Sequence, residues 1–323
     1  MKKDFEINIA VIGAGRLGTT IAYTIAAKKL KKIKIVSISS PIQKSLGRAK
    51  TVLGKFSEKI MFTGSNTNAA AEANCIFICT PDDLINMVCK EIFNQKNIFE
   101  KTSQKNNAFA VHFSGSKPLK ELDSARTAGA GVLSIHPLKS FASISQAIKT
   151  LKDTEYGITY NTPGEGRLAK SIVKILGGHS IIVEDSKKPL YHAAACITSN
   201  YLVTLIDYAV YINEKIGIKP EDSIKGLLSL VEGTVKNIGE TGTKKSLTGP
   251  IARGDTGTIK DHINNFNSLF NKEDTAVYRL MGKKTAEIAK QNGWIDDGKY
   301  EELTNILKDG TGWPGEILCH RKK

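Results

Sequence analysis

Hydrophobic positions fall into short unbroken runs in the first part of the chain and into broad helical stripes in the last. The runs lie at 7–12, 33–39, 60–62, 75–79, 108–113 and 132–135, with helical stretches between them. Strands buried on both faces read this way, and their alternation with helices over short connections predicts a doubly wound parallel sheet. Two more runs, 156–160 and 180–183, complete this part. Between them 164–176 reads as a helix ending at Gly177-Gly178, where a left-handed cap is expected. After Asp185 strand-like runs nearly vanish, and helices are predicted at 190–215, 220–238, 256–271 and 273–292. Charge and a proline interrupt the apolar pattern at Asp185-Ser186-Lys187-Lys188-Pro189. The division drawn there gives an α/β domain over 1–185 and an all-α domain over 186–323. A cleft between two such domains is a usual place for a substrate.

Directly behind the first run stands Gly13-Ala14-Gly15-Arg16-Leu17-Gly18, followed by a predicted helix over 17–29. In this strand–turn–helix setting the glycines have three tasks. Gly13 makes the tight turn, Gly15 lets backbone approach a pyrophosphate, and Gly18 lets the helix pack on the sheet. The free N–H groups of Arg16, Leu17 and their neighbours, with the positive end of the helix dipole, point at the phosphate. These features predict a Rossmann dinucleotide domain. The end of the second strand selects the cofactor. An NAD site places an acid there, whereas here the chain reads Ser39-Ser40-Pro41-Ile42-Gln43-Lys44, with Arg48 a turn later. Hydroxyls and cations suit a 2′-phosphate, so NADPH is the expected cofactor, with Arg16 available to the same pocket.

With 323 residues there is chain enough for two cores. Lys and Arg total 46 against 32 acids, a net charge of +14. Only 28–34 concentrates that charge, and it lies between a helix and a strand, where a solvated turn is expected. No aromatic–basic interleaving or zinc-finger spacing accompanies it, so an anionic cofactor and substrate account for a basic cleft, and nucleic acid is not an expected partner. Cys75, Cys79, Cys89, Cys196 and Cys319 form no C-x-x-C pair and no metal-ligand cluster, which implies a reducing compartment, no metal and a cytoplasmic location. Cys75 and Cys79 read as core. Residues 1–4 are basic, but the apolar stretch behind them is a strand rather than a signal-peptide segment. The stretch 193–212 has membrane-like hydropathy. It contains Asn200 and Asp207, so a central buried helix is expected instead of a membrane span.

In open α/β sheets ligands bind beyond the carboxyl ends of the strands. Thr80-Pro81-Asp82-Asp83 follows the fourth run, bordering the nicotinamide-side ribose. Ser114-Gly115-Ser116 follows the fifth, and His136-Pro137-Leu138-Lys139-Ser140-Phe141 the sixth. On the helix from Leu190, His192, Cys196, Ser199 and Asn200 fall within an arc of about 100°. Such a stripe on an otherwise apolar helix must face partners or a cavity, because an unpaired buried polar group costs about 1–3 kcal/mol. Residues 247–255, Leu-Thr-Gly-Pro-Ile-Ala-Arg-Gly-Asp, form a shaped loop. Arg253 offers a planar fork for a carboxylate, and Asp255 is placed to fix Arg253 or to hold His262.

Taken in order, the glycine motif, Thr80 to Asp83, Ser114 to Ser116, His136 to Leu138, Leu190 to Ala195 with Ser199-Asn200, and 247–255 resemble one family. It is that of the Rossmann-like oxidoreductases whose C-terminal half is a domain of unknown function, and the resemblance covers roughly 7–265. The family is similar in plan to ketopantoate reductase, pyrroline-5-carboxylate reductase and 6-phosphogluconate dehydrogenase, and some members are alternative ketopantoate reductases. The resemblance implies NADPH-dependent reduction of 2-dehydropantoate to pantoate, a step of pantothenate synthesis, in a homodimer acting on a small anionic keto acid. Usual ketopantoate reductases carry Lys-x-x-x-Asn-x-x-x-Asn, where this chain has His192-x-x-x-Cys196-x-x-x-Asn200. On that reading His192 donates the proton, a task suited to an imidazole, with His136 or Lys139 as substitutes. Ser199 and Asn200 orient the substrate, Arg253 with Lys139 clamps its carboxylate, and Ser114 and Asp255 border it. Two other readings remain: an imine reductase of the pyrroline-5-carboxylate type, and a non-catalytic NADP(H) sensor.

Overall fold

The computed structural model describes residues 6–94 and 108–308. The chain runs β1 (Ile7–Ile12), α1 (Arg16–Ala27), β2 (Ile33–Ser39), α2 (Gln43–Leu53), β3 (Met61–Thr63), α3 (Asn66–Ala70), β4 (Cys75–Ile78) and α4 (Ile85–Phe93). Then come β5 (Phe109–His112), α5 (Asp123–Thr127), β6 (Gly131–Pro137), α6 (Ile144–Thr150), β7 (Glu155–Tyr160), α7 (Pro163–Leu176) and β8 (His179–Ile182). The sheet order is β3-β2-β1-β4-β5-β6-β7-β8. The first six strands are parallel, and β7 pairs antiparallel with β6 while β8 runs parallel to β7. This is the expected doubly wound sheet, extended by two strands of opposite direction.

Successive residues of β1 serve opposite faces of the sheet, which is why the strand is apolar throughout. Ile7, Ile9 and Val11 join a core with Ile21 and Ile25 of α1 and Leu168 and Ile172 of α7. Ala10 and Ile12 join a second core with Val88 and Ile92 of α4. α7 ends at Gly177 in the left-handed conformation, as its sequence predicts, and starts at a capping box of Thr162 with Glu165. Cys75 is buried at the start of β4 and Cys79 packs against the first core. Cys319 and the basic start at 1–4 lie outside the described residues.

The helical part comprises α8 (Lys188–Cys196), a π-helical turn (Ile197–Tyr201), α9 (Leu202–Lys215), α10 (Pro220–Lys245), α11 (Thr256–Leu269), α12 (Lys272–Gln291) and α13 (Asp297–Ile306). The compact units divide between Leu202 and Val203, not near 185. α8 therefore belongs with the sheet, because its side chains are bound to the strand-end loops. The second unit has its own core of Ile259, Ile263, Ala286 and Leu303. α13 carries too few apolar residues to register as a stripe. Its start is fixed by Asp296, which accepts a hydrogen bond from the Lys299 N–H.

One expectation is corrected. The apolar segment 190–215 is not a buried central helix: Leu190 is 79 % and Val203 68 % exposed, and no residue of α9 is buried. The side of α8 that packs within the chain is its polar one, so the apolar flank is left uncovered. By length and composition alone, 185–215 is the one stretch among the described residues that could cross a membrane, and it holds Asp185, Lys187, Lys188, Asp207, Glu214 and Lys215.

Candidate active site

Two of the tasks expected of the glycine motif are visible in the geometry, the tight turn at Gly13 and the close packing at Gly18. Gly13 adopts φ +112°, and a Cβ there would lie 2.7 Å from the carbonyl oxygen of Cys79. Gly18 packs against the Gly13 carbonyl, Val11 and Cys79, which leaves no room for a side chain. At Gly15 a Cβ would meet nothing within 4 Å. Gly15 is also the N-cap of α1, so no side chain caps the first-turn N–H groups, and the space beside Gly15 is open. Beside the turn, the Thr80 hydroxyl is buried without a partner among the described groups, and Pro81 follows it exposed. An open backbone cradle next to an orphaned hydroxyl fits a dinucleotide.

At the end of β2 the details shift. Ser39 is fully buried and its hydroxyl donates to Asn66 (2.8 Å), so it turns inward and away from any 2′-phosphate. The Ser40 hydroxyl accepts from the Ile42 N–H (3.2 Å). Lys44 and Arg48 are exposed on α2, with no acid at the strand end. Arg16 is exposed and reaches the carbonyl of Phe141 (3.4 Å).

Three aromatic side chains gather over the β5–β6 end. The His136 ring lies edge-on to Tyr191 and to His192, both at 5.6 Å between centroids. The two imidazoles come together because residue 115 is glycine: a Cβ there would fall 2.6 Å from His192 and 2.7 Å from His136. Gly157, inside β7, likewise leaves room for the Tyr191 ring. The Tyr191 hydroxyl lies 3.4 Å from His136 Nδ1, and His192 Nδ1 lies 3.6 Å from the Cys196 sulfur. A cavity of about 490 Å³ opens at this cluster, with Lys139, Ser199 and Asn200 also in its wall. The predicted polar stripe thus faces a cavity, and the π-helical turn at 197–201 carries Ser199 and Asn200 on it.

Beneath the rings the strand-end loops are cross-braced. Asp82 accepts from the Ser114 hydroxyl (2.5 Å) and the Ser116 hydroxyl (3.1 Å). The Ser114 N–H donates to His112 Nδ1 (3.2 Å), and the Ser114 carbonyl accepts from Lys188 (2.9 Å). Ser114, expected to touch substrate, has its polar groups engaged inside the protein and acts as a brace. Arg253 and Asp255 lie in the second unit, where Arg253 is exposed at the end of a short 3₁₀ turn. Asp255 is corrected in role. It caps α11, accepting from the Thr258 N–H (3.0 Å) and hydroxyl (2.7 Å), while His262 pairs with the Tyr278 hydroxyl (2.6 Å).

Asp82 and Tyr191 stand in the sequence only as members of motifs, and Ser134 and Lys188 carry no sequence-based role, yet all four belong to this network. Glycine inside the apolar run of β7 is the one signal that points to the Tyr191 contact. Lys188 stands in a charged stretch that reads as a linker.

Burial, with the nearby His192 and Lys188, pushes His136 down to about 4. Burial, with Lys188 and His136, pushes His112 down to about 3. Burial raises the Tyr191 hydroxyl to about 12, which keeps it a proton-bearing donor. Both imidazoles are neutral at pH 7 and bind protons more weakly in the folded chain than unfolded, where the usual value is about 6.5. Their stabilising share is complete above pH 6.5 and is lost as pH falls toward 4, by about 1.4 kcal/mol per unit for each. The melting temperature should fall steadily between pH 6.5 and 5, and His136→Phe should flatten the slope. An unchanged melting temperature over that range would contradict these burial effects.

The fold and this site define a class: a Rossmann-type nucleotide domain joined to a helical unit, with a proton-bearing cluster at the strand ends. Two family models match the chain. Residues 8–103 match the model described as NADP oxidoreductase coenzyme F420-dependent, and residues 156–285 match a domain of unknown function (DUF2520). No curated protein matches. Among solved structures, protein TM1727 from Thermotoga maritima is similar at 22% identity, with 89% of this chain and 100% of that chain covered and a TM-score of 0.65. The imine reductase from Myxococcus stipitatus in complex with NADP+ is similar at 15% identity, covering 93% and 100%, with a TM-score of 0.58. A pyrroline-5-carboxylate reductase from Coxiella burnetii is similar at 16% identity, covering 94% and 99%, with a TM-score of 0.54. At these identities the structures establish the fold. The family matches support an NADP oxidoreductase with NADP as cofactor, and do not support ketopantoate reductase in particular.

Proposed function

We propose that this chain is an NADPH-dependent reductase of a small imine or ketone, with imine reduction the leading reading. The observation that carries it is the placement of two features on one edge of the sheet. The glycine cradle opens at the carboxyl end of β1, and the His136–Tyr191–His192 cluster opens onto its cavity at the carboxyl ends of β5 and β6. NADPH, when bound, supplies the hydride that reduces the C=N or C=O carbon. Ser40, Lys44 and Arg48 would meet its 2′-phosphate, since no acid stands at the end of β2.

The chain's own groups then manage the proton and the substrate. His192, at the cavity wall, delivers a proton to the nitrogen or oxygen as charge develops there, and Tyr191 fixes the neighbouring His136. Ser199 and Asn200 orient the substrate, and Lys139 offers a cation to a carboxylate. The imine reading is favoured because the similar structures include an imine reductase and a pyrroline-5-carboxylate reductase. Ketopantoate reduction is kept as a second reading because His192 and Asn200, at the spacing of its Lys and last Asn, line the same cavity.

The test is loss of NADPH absorbance with pyrroline-5-carboxylate and other cyclic imines in one series and ketopantoate in another. Turnover of imines alone supports the leading reading, and turnover of ketopantoate alone replaces it with the second. Tight NADPH binding without turnover in either series would leave the sensor reading.

A further inference from the structure

Lys188 emerges from the first turn of α8 and sends its ammonium inward, where the residue is only 1 % exposed. A buried ammonium is normally matched by a carboxylate. Among the described residues Lys188 makes no ion pair, and its hydrogen bonds go to neutral oxygens, the Ser114 carbonyl (2.9 Å) and the Ser134 hydroxyl (2.7 Å). The nearest acids are engaged elsewhere: Asp82 accepts from Ser114 and Ser116, and Asp185 accepts from the Leu119 N–H (2.9 Å). The ammonium thus ties the end of β5 to the end of β6 at the root of Gly115, the residue on which His136 and His192 close.

We infer that Lys188 is a positioning residue for the reduction: its ammonium locks the Ser114–Gly115 peptide under the two imidazoles and keeps a positive charge below the reacting cavity. This rests on the reductase reading given above. The groups facing His136 are His192, Tyr191 and Lys188 from α8, Asp82 from the loop after β4, and His112 from β5. Asp82 favours the imidazolium, whereas Lys188 and His192 oppose it, so removing the Lys188 charge releases His136 toward protonation. The same charge favours negative charge developing on a substrate oxygen or held on a substrate carboxylate. The ammonium is itself held below its ordinary range, at about 8, chiefly by burial.

Lys188→Met keeps the stem and removes the charge. The expected result is a fall in kcat of tenfold or more, with the KM for NADPH within twofold of the unaltered protein and the acid limb of the rate profile moved to higher pH. NMR titration of the His136 ring should show its midpoint rising from about 4. A folded Lys188→Met protein with an unmoved His136 midpoint and unchanged kcat would overturn the inference. A general loss of activity without movement of the His136 midpoint would also overturn it, leaving Lys188 a packing residue. Should Lys188→Met fail to fold, Ser134→Ala removes one of the ammonium's two anchors and is expected to shift the profile the same way by a smaller amount; no shift would count against the inference. The NMR titration needs no substrate, so absence of turnover in the unaltered protein would end the reductase reading while the His136 midpoint still tests the hold of Lys188 on that ring.

Discussion

Gly15→Asp is expected to leave the protein folded and to remove NADPH binding. A Cβ at this position meets nothing within 4 Å, so the chain itself has room for the side chain. That open space lies at the start of α1, whose first-turn N–H groups have no side-chain cap. A carboxylate about 4 Å from a pyrophosphate charge in a partly buried site costs on the order of 4 kcal/mol. That corresponds to roughly a thousandfold in affinity. Fluorescence titration with NADPH would measure it, and a melting curve should coincide with that of the unaltered protein. Gly18→Ala is expected to behave oppositely. Its Cβ would run into the Gly13 carbonyl, so the sheet–helix packing must shift and the melting temperature should drop. Near-normal NADPH binding by Gly15→Asp would place the cofactor elsewhere.

His192→Ala should lower kcat by about a hundredfold to ten-thousandfold, the range for loss of a positioned general acid. NADPH affinity should stay within a factor of two or so, because His192 belongs to the cavity wall and not to the glycine cradle. The substitution removes a ring that packs against His136 and over Gly115. His192→Gln is therefore the control: it keeps bulk and hydrogen bonding but cannot serve as an acid, and it should fall nearly as far. A His192→Gln enzyme with normal kcat would transfer the proton-donor role to Tyr191 or His136, which stand beside it.

The sheet and the cradle were legible because each rests on local chemistry. A strand buried on both faces must be apolar throughout, and a turn at φ +112° followed by close helix packing must be glycine. The polar stripe from His192 to Asn200 was legible from helical spacing alone, although the π-helical turn at 197–201 alters that spacing past Cys196. Lys188 was not legible as a site residue, and Asp82, visible as part of a strand-end loop, was not legible as its brace. A lysine in a charged stretch looks like linker until the fold turns its stem inward, and Asp82 acquires its partners only when β4 and β5 lie side by side. Ser39 and Ser114 were misjudged for a related reason. Their position at strand ends is visible in the chain, but whether a hydroxyl points to a ligand or to Asn66 and Asp82 is decided by neighbours distant in sequence.

Isotope transfer tests most directly whether this chain reduces a C=N or C=O bond with NADPH. The protein would be incubated with NADPH carrying deuterium at both C4 positions and a mixed panel of cyclic imines and 2-keto acids, and the products weighed by mass spectrometry. One deuterium is expected in the reduced product, at the carbon of the former double bond, with the second retained on the oxidised cofactor. Saturable NADPH binding with no deuterium in any product would contradict that reduction.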